Sequence, residues 1–225
     1  MSYKNLKSKI IAIDGPAGAG KSTVAKILAK KLGFLYIDTG AMYRALTLKT
    51  IREKVDLKDT DKLVDMTFDT YIDLENDSNG SLRVFLDSQD VTEEIRDPTV
   101  TKLVSDLAKI KEIRDIMLEL QRKLGVLRDS VLDGRDIGTV VFPDADKKFY
   151  IDADFDERVR RRYKELRELG QNVTFKEVEE DLYNRDTIDS QRQFAPLKRA
   201  GDAVYIDTTD MTVEEVVDRI LKVIS

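Results

Sequence analysis

Residues 9–22 read KIIAIDGPAGAGKS, and this stretch decides the fold. It opens with an apolar run, KIIAID, that predicts a short buried β-strand. The remainder fits the pattern G-x-x-x-x-G-K-[ST], in which a strand leads through a glycine-rich loop into a helix. An apolar-periodic segment at 21–32 follows and ends at Gly33, as is typical of a helix C-terminus. The sequence therefore predicts an anion-binding loop between a buried strand and a helix.

Each part of this loop has a physical role in binding phosphate. Glycines let successive backbone amides point into one concavity, and the helix adds its positive end. Lys21 would place a cation on the β- and γ-phosphates, and the Ser22 hydroxyl would ligate Mg²⁺. The alternative is a glycine turn with an incidental lysine, and the strand-loop-helix setting argues against it. We expect a nucleoside triphosphate at residues Gly15, Pro16, Ala17, Gly18, Ala19, Gly20, Lys21, Ser22 and Thr23.

Beyond this motif the chain alternates between strand and helix patterns. Further strands are predicted at 34–38, 130–133, 147–151 and 203–207. Helices are predicted at 40–54, 100–124 in two pieces, 155–169 ending before Gly170, and after the capping-box signals Thr174-x-x-Glu177 and Thr212-x-x-Glu215. This alternation predicts a three-layer α/β fold with a central parallel sheet.

An antiparallel insertion is predicted to interrupt the alternation at about residues 63–98. Segments Met66–Leu74 and Leu82–Asp87 have strand-like patterns on either side of a polar turn, Glu75–Ser81, which contains Asn79-Gly80. We expect a small antiparallel subdomain there, because a hairpin is foreign to a purely parallel sheet.

The composition restricts the chemistry that is possible. The chain has 225 residues with 38 Lys+Arg and 43 Asp+Glu, a net charge of −5, no Cys and no His. Cys/His metal sites, thiol redox chemistry and Ser-His-Asp triads are thereby excluded. No apolar run approaches the roughly 20 residues of a membrane span. We expect one cytoplasmic domain over residues 1–225, with no membrane partner and, given its acidity, no nucleic-acid partner.

A GTPase is not expected from this sequence. The guanine-reading pattern N-K-x-D does not occur in it. The D-x-x-G pattern occurs only at Asp77–Gly80, inside the predicted hairpin turn, where a polar turn is the ordinary interpretation.

Arginines are concentrated in the C-terminal third of the chain. Eight lie between Asp156 and Ala200, and Arg44 and Arg135 follow the ends of predicted strands, where ligands bind in open parallel sheets. Such arginines would bring a second anionic substrate against the γ-phosphate despite the repulsion between like charges. A phosphate acceptor is already ionised, so it needs no histidine base. The alternative is that these arginines are solvated and pair with neighbouring glutamates.

Four motifs resemble the bacterial cytidylate kinase family in order along nearly the whole chain. They are IAIDGPAGAGKST at 11–23, DTGAMYR at 38–44, LDGRDIGTVVFPD at 132–144, and Arg185…Asp189…Arg192 followed by APL at 195–197. The resemblance implies phosphoryl transfer from ATP to CMP or dCMP. It also implies an enlarged monophosphate-binding region with a small antiparallel sheet and a helical lid, here at about 154–172.

The resemblance also implies roles for individual residues. Cytosine would be recognised by Ser105, Arg114 and Asp136. The acceptor phosphate would be held by Arg44, Arg135 and Arg192, and the pentose region would be held by Arg185 and Asp189. Thr39 and Tyr43 would line the same pocket, Arg158, Arg161 and Arg162 would belong to the lid over ATP, and Asp133 would hold Mg²⁺ with Ser22. The implied catalytic set is Lys21, Arg135, Arg158, Arg162 and Arg192.

Two other functions stay open from the residues themselves. UMP, AMP or a small metabolite such as shikimate is an alternative acceptor, because spacing alone does not choose a base. A nucleotide sensor without turnover is the second alternative, and the arginines for an acceptor phosphate argue against it. In the absence of a coiled-coil pattern we expect a monomer.

Overall fold

A parallel sheet covered by helices on both faces forms the centre of the protein. The computed structural model describes residues 8–77 and 82–224. Within these residues the strands are β1 (Ile10–Asp14), β2 (Leu35–Asp38), β3 (Ile72–Asn76), β4 (Leu82–Leu86), β5 (Gln89–Asp90), β6 (Ser130–Gly134), β7 (Lys147–Asp152) and β8 (Val204–Asp207). The central sheet has the order β2-β6-β1-β7-β8 with every neighbouring pair parallel.

Helices connect these strands, and several begin and end where sequence signals predict. They are α1 (Lys21–Leu32), α2 (Thr39–Arg52), α3 (Thr60–Phe68), α4 (Pro98–Ala108), α5 (Lys111–Gly125), α6 (Phe155–Glu168), α7 (Phe175–Gln191) and α8 (Val213–Ile224). Thr174 and Glu177 form the predicted capping box at α7, and Thr212 and Glu215 form the same reciprocal bonds before α8. Gly33 ends α1 in the left-handed conformation.

The pleat of β1 divides the core into two layers. Ile11 and Ile13 face a cluster that includes α1 and α8, and Ile10 and Ala12 face a second cluster that includes α2, α4 and α5. All five residues of β1 are buried, because the strand is central and covered on both faces. The predicted parallel α/β fold is confirmed, and it brings the carboxyl ends of β2, β6 and β1 side by side.

The small antiparallel sheet is present, but its first strand begins later than predicted. Strand β3 pairs with β4, and β4 with β5. The prediction of strand from Met66 was wrong, because Met66–Phe68 is the last turn of α3. Asp59 caps that helix by accepting from the Lys62 amide, and Leu63, Met66 and Thr67 are buried at helical spacing.

The predicted hairpin turn at Glu75–Ser81 was too wide at its start. Glu75 and Asn76 belong to β3 and pair with Arg83 and Leu82. The Asn79-Gly80 pair lies outside the described residues.

A single π-helical turn at Ile137–Val141 follows β6 and was not predicted. It places the residues after Asp136 in a compact turn against the end of β1. In the described part of the chain, no helix is long and apolar enough to span a membrane.

Gly15 is the point where the loop after β1 packs closest to the rest of the sheet. Its φ is +147°, and an added Cβ would lie 1.9 Å from the carbonyl oxygen of Ile151 in β7. Gly33 also has a positive φ, +69°, but an added Cβ there would meet nothing within 4 Å. A side chain at Gly33 would therefore cause backbone strain alone, whereas a side chain at Gly15 would also clash with β7.

We predict that Gly15→Ala destabilises the protein far more than Gly33→Ala. Gly33→Ala should lower the free energy of unfolding by about 1–2 kcal/mol, the cost of left-handed backbone for a residue with a Cβ. Gly15→Ala adds a backbone clash and should cost at least roughly 3 kcal/mol. Urea unfolding of both variants measures the difference, and equal costs would contradict the close packing of the loop on β7.

Candidate active site

A cleft of about 1020 Å³ opens at the carboxyl edge of the central sheet. The loop after β1, the ends of β2 and β6, and parts of α4, α5, α6 and α7 all contribute to its lining. Of the predicted site residues, only Gly15, Pro16 and Arg158 do not line it. Residues far apart in the sequence thus meet where parallel α/β sheets bind ligands.

The glycine-rich loop forms one end of the cleft. Gly18 and Gly20 have φ values of +75° and +87°, and Gly20 is the N-cap of α1. Lys21, the first residue of that helix, is 5% exposed, and its Nζ donates a 2.6 Å hydrogen bond to the Pro16 carbonyl oxygen. Burial, and then the nearby Arg135, lower the pKa of Lys21. An anion bound in the loop would therefore stabilise the charged form of this lysine.

A buried carboxylate stands beside the loop. Asp133 in β6 accepts from the Ser22 hydroxyl at 2.7 Å and from the Tyr36 hydroxyl at 3.0 Å. Burial raises the pKa of Asp133. The Thr39 hydroxyl donates to the Asp133 carbonyl oxygen at 2.7 Å, so Thr39 also fixes the end of β6. Tyr36 is a member of this group that the sequence analysis missed, because only the adjacency of β2 and β6 brings it there.

Arginine–carboxylate pairs fill the opposite side of the cleft. Arg44 pairs with Asp38 at 3.0 Å, and Arg135 pairs with Asp189 at 2.8 Å. Arg192 bridges Asp136 at 3.2 Å and Asp189 at 3.6 Å. Although burial opposes ionisation, Arg135 and the other nearby arginines lower the pKa of Asp189 below its usual range. The carboxylates hold these cations close together.

Arg114 and Asp136 form a further buried pair. Their closest atoms are 2.5 Å apart, and each side chain is 9% exposed. The Arg114 guanidinium lies 5.6 Å from the centre of the Tyr43 ring, and burial raises the pKa of Tyr43 to about 12. Ser105 is buried in α4 and lines the same part of the cleft. This end of the cleft thus combines a carboxylate, a guanidinium, a hydroxyl and an aromatic face.

Arg185 is less fully satisfied than its neighbours. Its Nε is buried and has no hydrogen-bond partner among the described residues. Burial, and then repulsion from Arg135, lower the pKa of Arg185 to about 10. An unpaired buried N–H is costly, so an acceptor group on a bound molecule would stabilise this side chain.

Arg158 lies behind the glycine-rich loop rather than in the cleft. It donates to the carbonyl oxygens of Ala17 at 3.0 Å and Ala153 at 3.1 Å, and it pairs with Asp186. Asp186 in turn accepts from the Ala17 amide at 3.1 Å. The resemblance implied that Arg158 belongs to the lid over ATP; it lies on α6 within that predicted segment, and its side chain contacts the back of the loop. Its side chain is drawn inward because these carbonyls and this carboxylate are its partners.

A loop that the sequence analysis missed completes the cleft beside α6. Residues 208–213 follow β8 and line the cleft. Arg161 donates to the carbonyl oxygens of Thr208 at 2.6 Å and Thr209 at 3.2 Å. The signal was available, because these residues directly follow the carboxyl end of a predicted strand.

Comparisons with known proteins identify the family. A family model described as cytidylate kinase matches residues 11–225. The cytidylate kinase of Caldanaerobacter subterraneus subsp. tengcongensis is 52% identical over 220 residues, which cover 98% of this chain and 96% of the relative. The cytidylate kinase of Clostridioides difficile is 50% identical over 216 residues, which cover 96% of this chain and 98% of the relative. The chain belongs to the cytidylate kinase family.

Membership confirms the resemblance and the enzyme class predicted from the sequence: a nucleoside monophosphate kinase. Among solved structures, an uncharacterized protein from Eubacterium ventriosum superposes with a TM-score of 0.53 at 17% identity, covering 96% of this chain and 98% of its own. At that identity the likeness shows the fold alone.

One further buried carboxylate in this cytidylate kinase fold was not singled out by the sequence analysis. Asp14, the last residue of β1, is 4% exposed, and its two oxygens accept from the amides of Ile137 at 2.8 Å and Gly138 at 2.7 Å. Burial raises the pKa of Asp14 to about 7, although the two amides oppose the shift.

We predict that Asp14 makes folding stability fall as pH rises from about 4 to 7. Over that range the folded state keeps a proton on Asp14 that the unfolded chain releases. The free energy of unfolding of Asp14→Asn relative to the parent should therefore rise by up to about 1.4 kcal/mol per pH unit in this window. Urea unfolding at pH 4, 5.5 and 7 measures it, and a pH-independent difference would contradict the raised pKa.

Proposed function

We propose that the protein transfers the γ-phosphoryl group of ATP to the phosphate of CMP or dCMP, giving ADP and CDP or dCDP, with the residue roles set out below. Membership of the cytidylate kinase family supports the reaction. The observation that carries the residue assignments is the set of arginine–carboxylate pairs facing the glycine-rich loop across one cleft.

ATP would bind with its phosphates in the glycine-rich loop. The loop amides and the start of α1 would hold the β- and γ-phosphates, and Lys21 would neutralise their charge. Arg161 and Arg162 lie on α6 within the predicted lid at about 154–172 and line the cleft. We propose that they approach the phosphates of ATP when the lid closes. Arg158 would act from behind, by holding the loop through Ala17.

Ser22 and Asp133 fit the requirements of a magnesium ion bound with ATP. Their oxygens already lie 2.7 Å apart beside the loop. Mg²⁺ favours oxygen ligands and is commonly held by one or two protein groups together with substrate phosphates and water. When bound, such an ion would neutralise charge that develops on the β- and γ-phosphates. Tyr36 would fix the second oxygen of Asp133.

The acceptor phosphate would be held by Arg44, Arg135 and Arg192. Each already lies next to a carboxylate in the cleft, so its position is set before substrate arrives. The acceptor oxygen is ionised at neutral pH, so positioning and charge neutralisation replace a general base. Arg185 and Asp189 would contact the pentose region, and the unpaired Nε of Arg185 supports that assignment.

Cytosine would be recognised where Arg114 and Asp136 pair. Its N4 amino group is a donor and its N3 and O2 atoms are acceptors, so it needs a carboxylate beside a donor group. Asp136 and Arg114 supply this combination in a buried setting, and Ser105 adds a hydroxyl. Uracil presents an acceptor where cytosine has N4, and it would face the Asp136 carboxylate unfavourably. Thr39 and Tyr43 would complete the pocket wall.

The charge balance of the cleft suits a loose, anionic transition state. Lys21, Arg135, Arg162 and Arg192 would converge on the transferring phosphoryl group from both substrates. Closure of the lid and of the predicted monophosphate-binding subdomain at about 63–98 would exclude water and suppress hydrolysis of ATP.

We also propose that the protein acts as a monomer in the cytoplasm on small nucleotides, without nucleic-acid or membrane partners. One chain supplies every residue assigned above, which supports a monomer. Its substrates are metabolic nucleotides, which supports the location. Light scattering of the purified protein tests the oligomeric state.

The function is tested by ADP production from Mg·ATP with CMP, dCMP, UMP, AMP and shikimate offered separately. We expect strong turnover with CMP and dCMP, weak turnover with UMP, and negligible turnover with the others. Turnover with another acceptor would keep the kinase mechanism and remove the cytosine assignment. Binding of ATP without turnover on any acceptor would favour a nucleotide sensor instead.

We predict that Arg192→Ala damages phosphoryl transfer far more than ATP binding. Its side chain is 4% exposed and bridges Asp136 and Asp189 on the acceptor side. Loss of a cation at the acceptor phosphate should lower kcat/KM for CMP by at least about 100-fold, or roughly 2.7 kcal/mol. Arg199→Ala is the control, because Arg199 is exposed and contacts Tyr205 outside the cleft. Unchanged turnover of Arg192→Ala would remove the assignment.

A further inference from the structure

Asp14 connects the strand that carries the glycine-rich loop to the segment that carries Asp136. It stands immediately before Gly15, and both of its carboxylate oxygens are engaged by the amides of Ile137 and Gly138. Asp136 directly precedes those amides in the chain. The residue that would read cytosine is thus followed directly by the two residues whose amides bind Asp14, and Asp14 belongs to β1.

Side chains other than Asp14 contact the two flanks of the turn after Asp136: Arg114 and Arg192 pair with the Asp136 carboxylate, and Arg122 donates to the carbonyl oxygens of Val140 and Val141. The Asp14 carboxylate is the group that binds the first two amides of the turn. The turn is a single π-helical turn, Ile137–Val141, and no side chain caps it from the Asp136 position. The Asp136 carbonyl oxygen accepts from the amides of Val140 and Val141, so movement of the turn moves Asp136. The Asp14 carboxylate supplies two charge-assisted hydrogen bonds at the point where the turn begins.

Close packing keeps this contact short. An added Cβ on Gly138 would lie 3.3 Å from Asp14 Oδ2 and 3.1 Å from Cδ of Lys148. A glycine at this position therefore lets the turn approach the carboxylate. The cost of burying Asp14 is visible in its raised pKa, which a solvent-exposed carboxylate would not have.

We infer that Asp14 is a positioning residue for base selection: its carboxylate holds the turn at Ile137 and Gly138, and thereby sets the place of Asp136 in the cleft. This inference rests on the proposed role of Asp136 in reading cytosine. It adds a determinant of specificity that touches neither substrate and lies on the strand leading into the ATP-binding loop.

A consequence is that discrimination between CMP and UMP depends on the charge of Asp14. The charged and titratable groups that act on Asp14 are Lys21, Asp136 and Tyr150, and the aliphatic part of Lys148 packs against Gly138. Protonation of Asp14 removes one acceptor and weakens both bonds to the turn. Since burial raises its pKa to about 7, this change falls in the neutral range, with the ionised and selective form favoured above it.

The readout is the ratio of kcat/KM for CMP to kcat/KM for UMP. This ratio does not depend on how much of a variant is folded. Titration of Lys21 or of the acceptor phosphate affects both nucleotides alike and cancels in the ratio. A merely structural role of Asp14 would lower both rate constants and leave the ratio unchanged.

We expect the ratio for the parent protein to fall as pH is lowered from 8.5 to 6. Asp14→Asn, whose amide can accept one of the two bonds and opposes a donor to the other, should show a ratio lowered by about tenfold. Its ratio should also be independent of pH in this range. Gly138→Ala, which crowds the same carboxylate from the other side, should lower the ratio as well.

Asp146→Asn is the matched control. Asp146 accepts from the Ile10 amide at the other end of β1, outside the cleft, so the ratio of the Asp146→Asn variant should match the parent at every pH.

Asp136→Asn separates the inference from the function on which it rests. If the parent shows no preference for CMP, or Asp136→Asn retains it, the assignment of Asp136 fails and this inference with it. If Asp136→Asn loses the preference while Asp14→Asn and Gly138→Ala keep the parent ratio, the inference alone is overturned. Should Asp14→Asn not fold, the parent's pH profile and Gly138→Ala decide: a flat profile with an unchanged ratio overturns it.

Discussion

The structure depends on holding several cations together in one cleft before any phosphate is bound. Arginines repel one another at close range, so without counterions they would turn outward into solvent. Asp38, Asp136 and Asp189 prevent this by pairing with the arginines of the acceptor side. The buried pairs contribute little to stability as such, because the desolvation of both charges offsets their attraction. Their value lies in placing guanidinium groups where an anionic acceptor can use them.

The parallel sheet provides the positions for these charges. Its order places β6 between β2 and β1, so Asp38 and Asp133 are direct neighbours across the ladder, and the strand before the glycine-rich loop runs alongside. The carboxyl end of β6 leads into Arg135 and Asp136, and helix α7 contributes Asp189. Donor and acceptor groups therefore meet at one edge although more than 100 residues separate them in the chain.

Local signals in the sequence predicted much of this arrangement. The glycine-rich loop, the capping boxes and the positions of the five parallel strands follow from patterns spanning a few residues, and the structure agrees with them. The four family motifs contain 19 of the 41 residues that line the cleft. Helix α3 was misread because Met66 and Phe68 alternate like a strand, while its cap at Asp59 lies outside that pattern.

The remaining differences arise from contacts between distant residues. Arg158 supports the loop because Asp186, on another helix, is nearby, and Tyr36 reaches Asp133 because two strands are adjacent. Asp14 meets Ile137 and Gly138 across a separation of more than 120 residues. No local pattern records such partners. The π-helical turn after Asp136 was not predicted either, because no local sequence signal marks its backbone bonds from Val141 to Asp136 and from Phe142 to Ile137.

The role of the paired arginines is best tested by a crystal structure of the protein with CMP and a non-hydrolysable ATP analogue. We expect the CMP phosphate to lie within hydrogen-bond distance of Arg44, Arg135 and Arg192. We also expect the N4 amino group of cytosine to face Asp136. A CMP molecule bound with its phosphate away from these arginines would show that they do not hold the acceptor, even if the enzyme proved fully active.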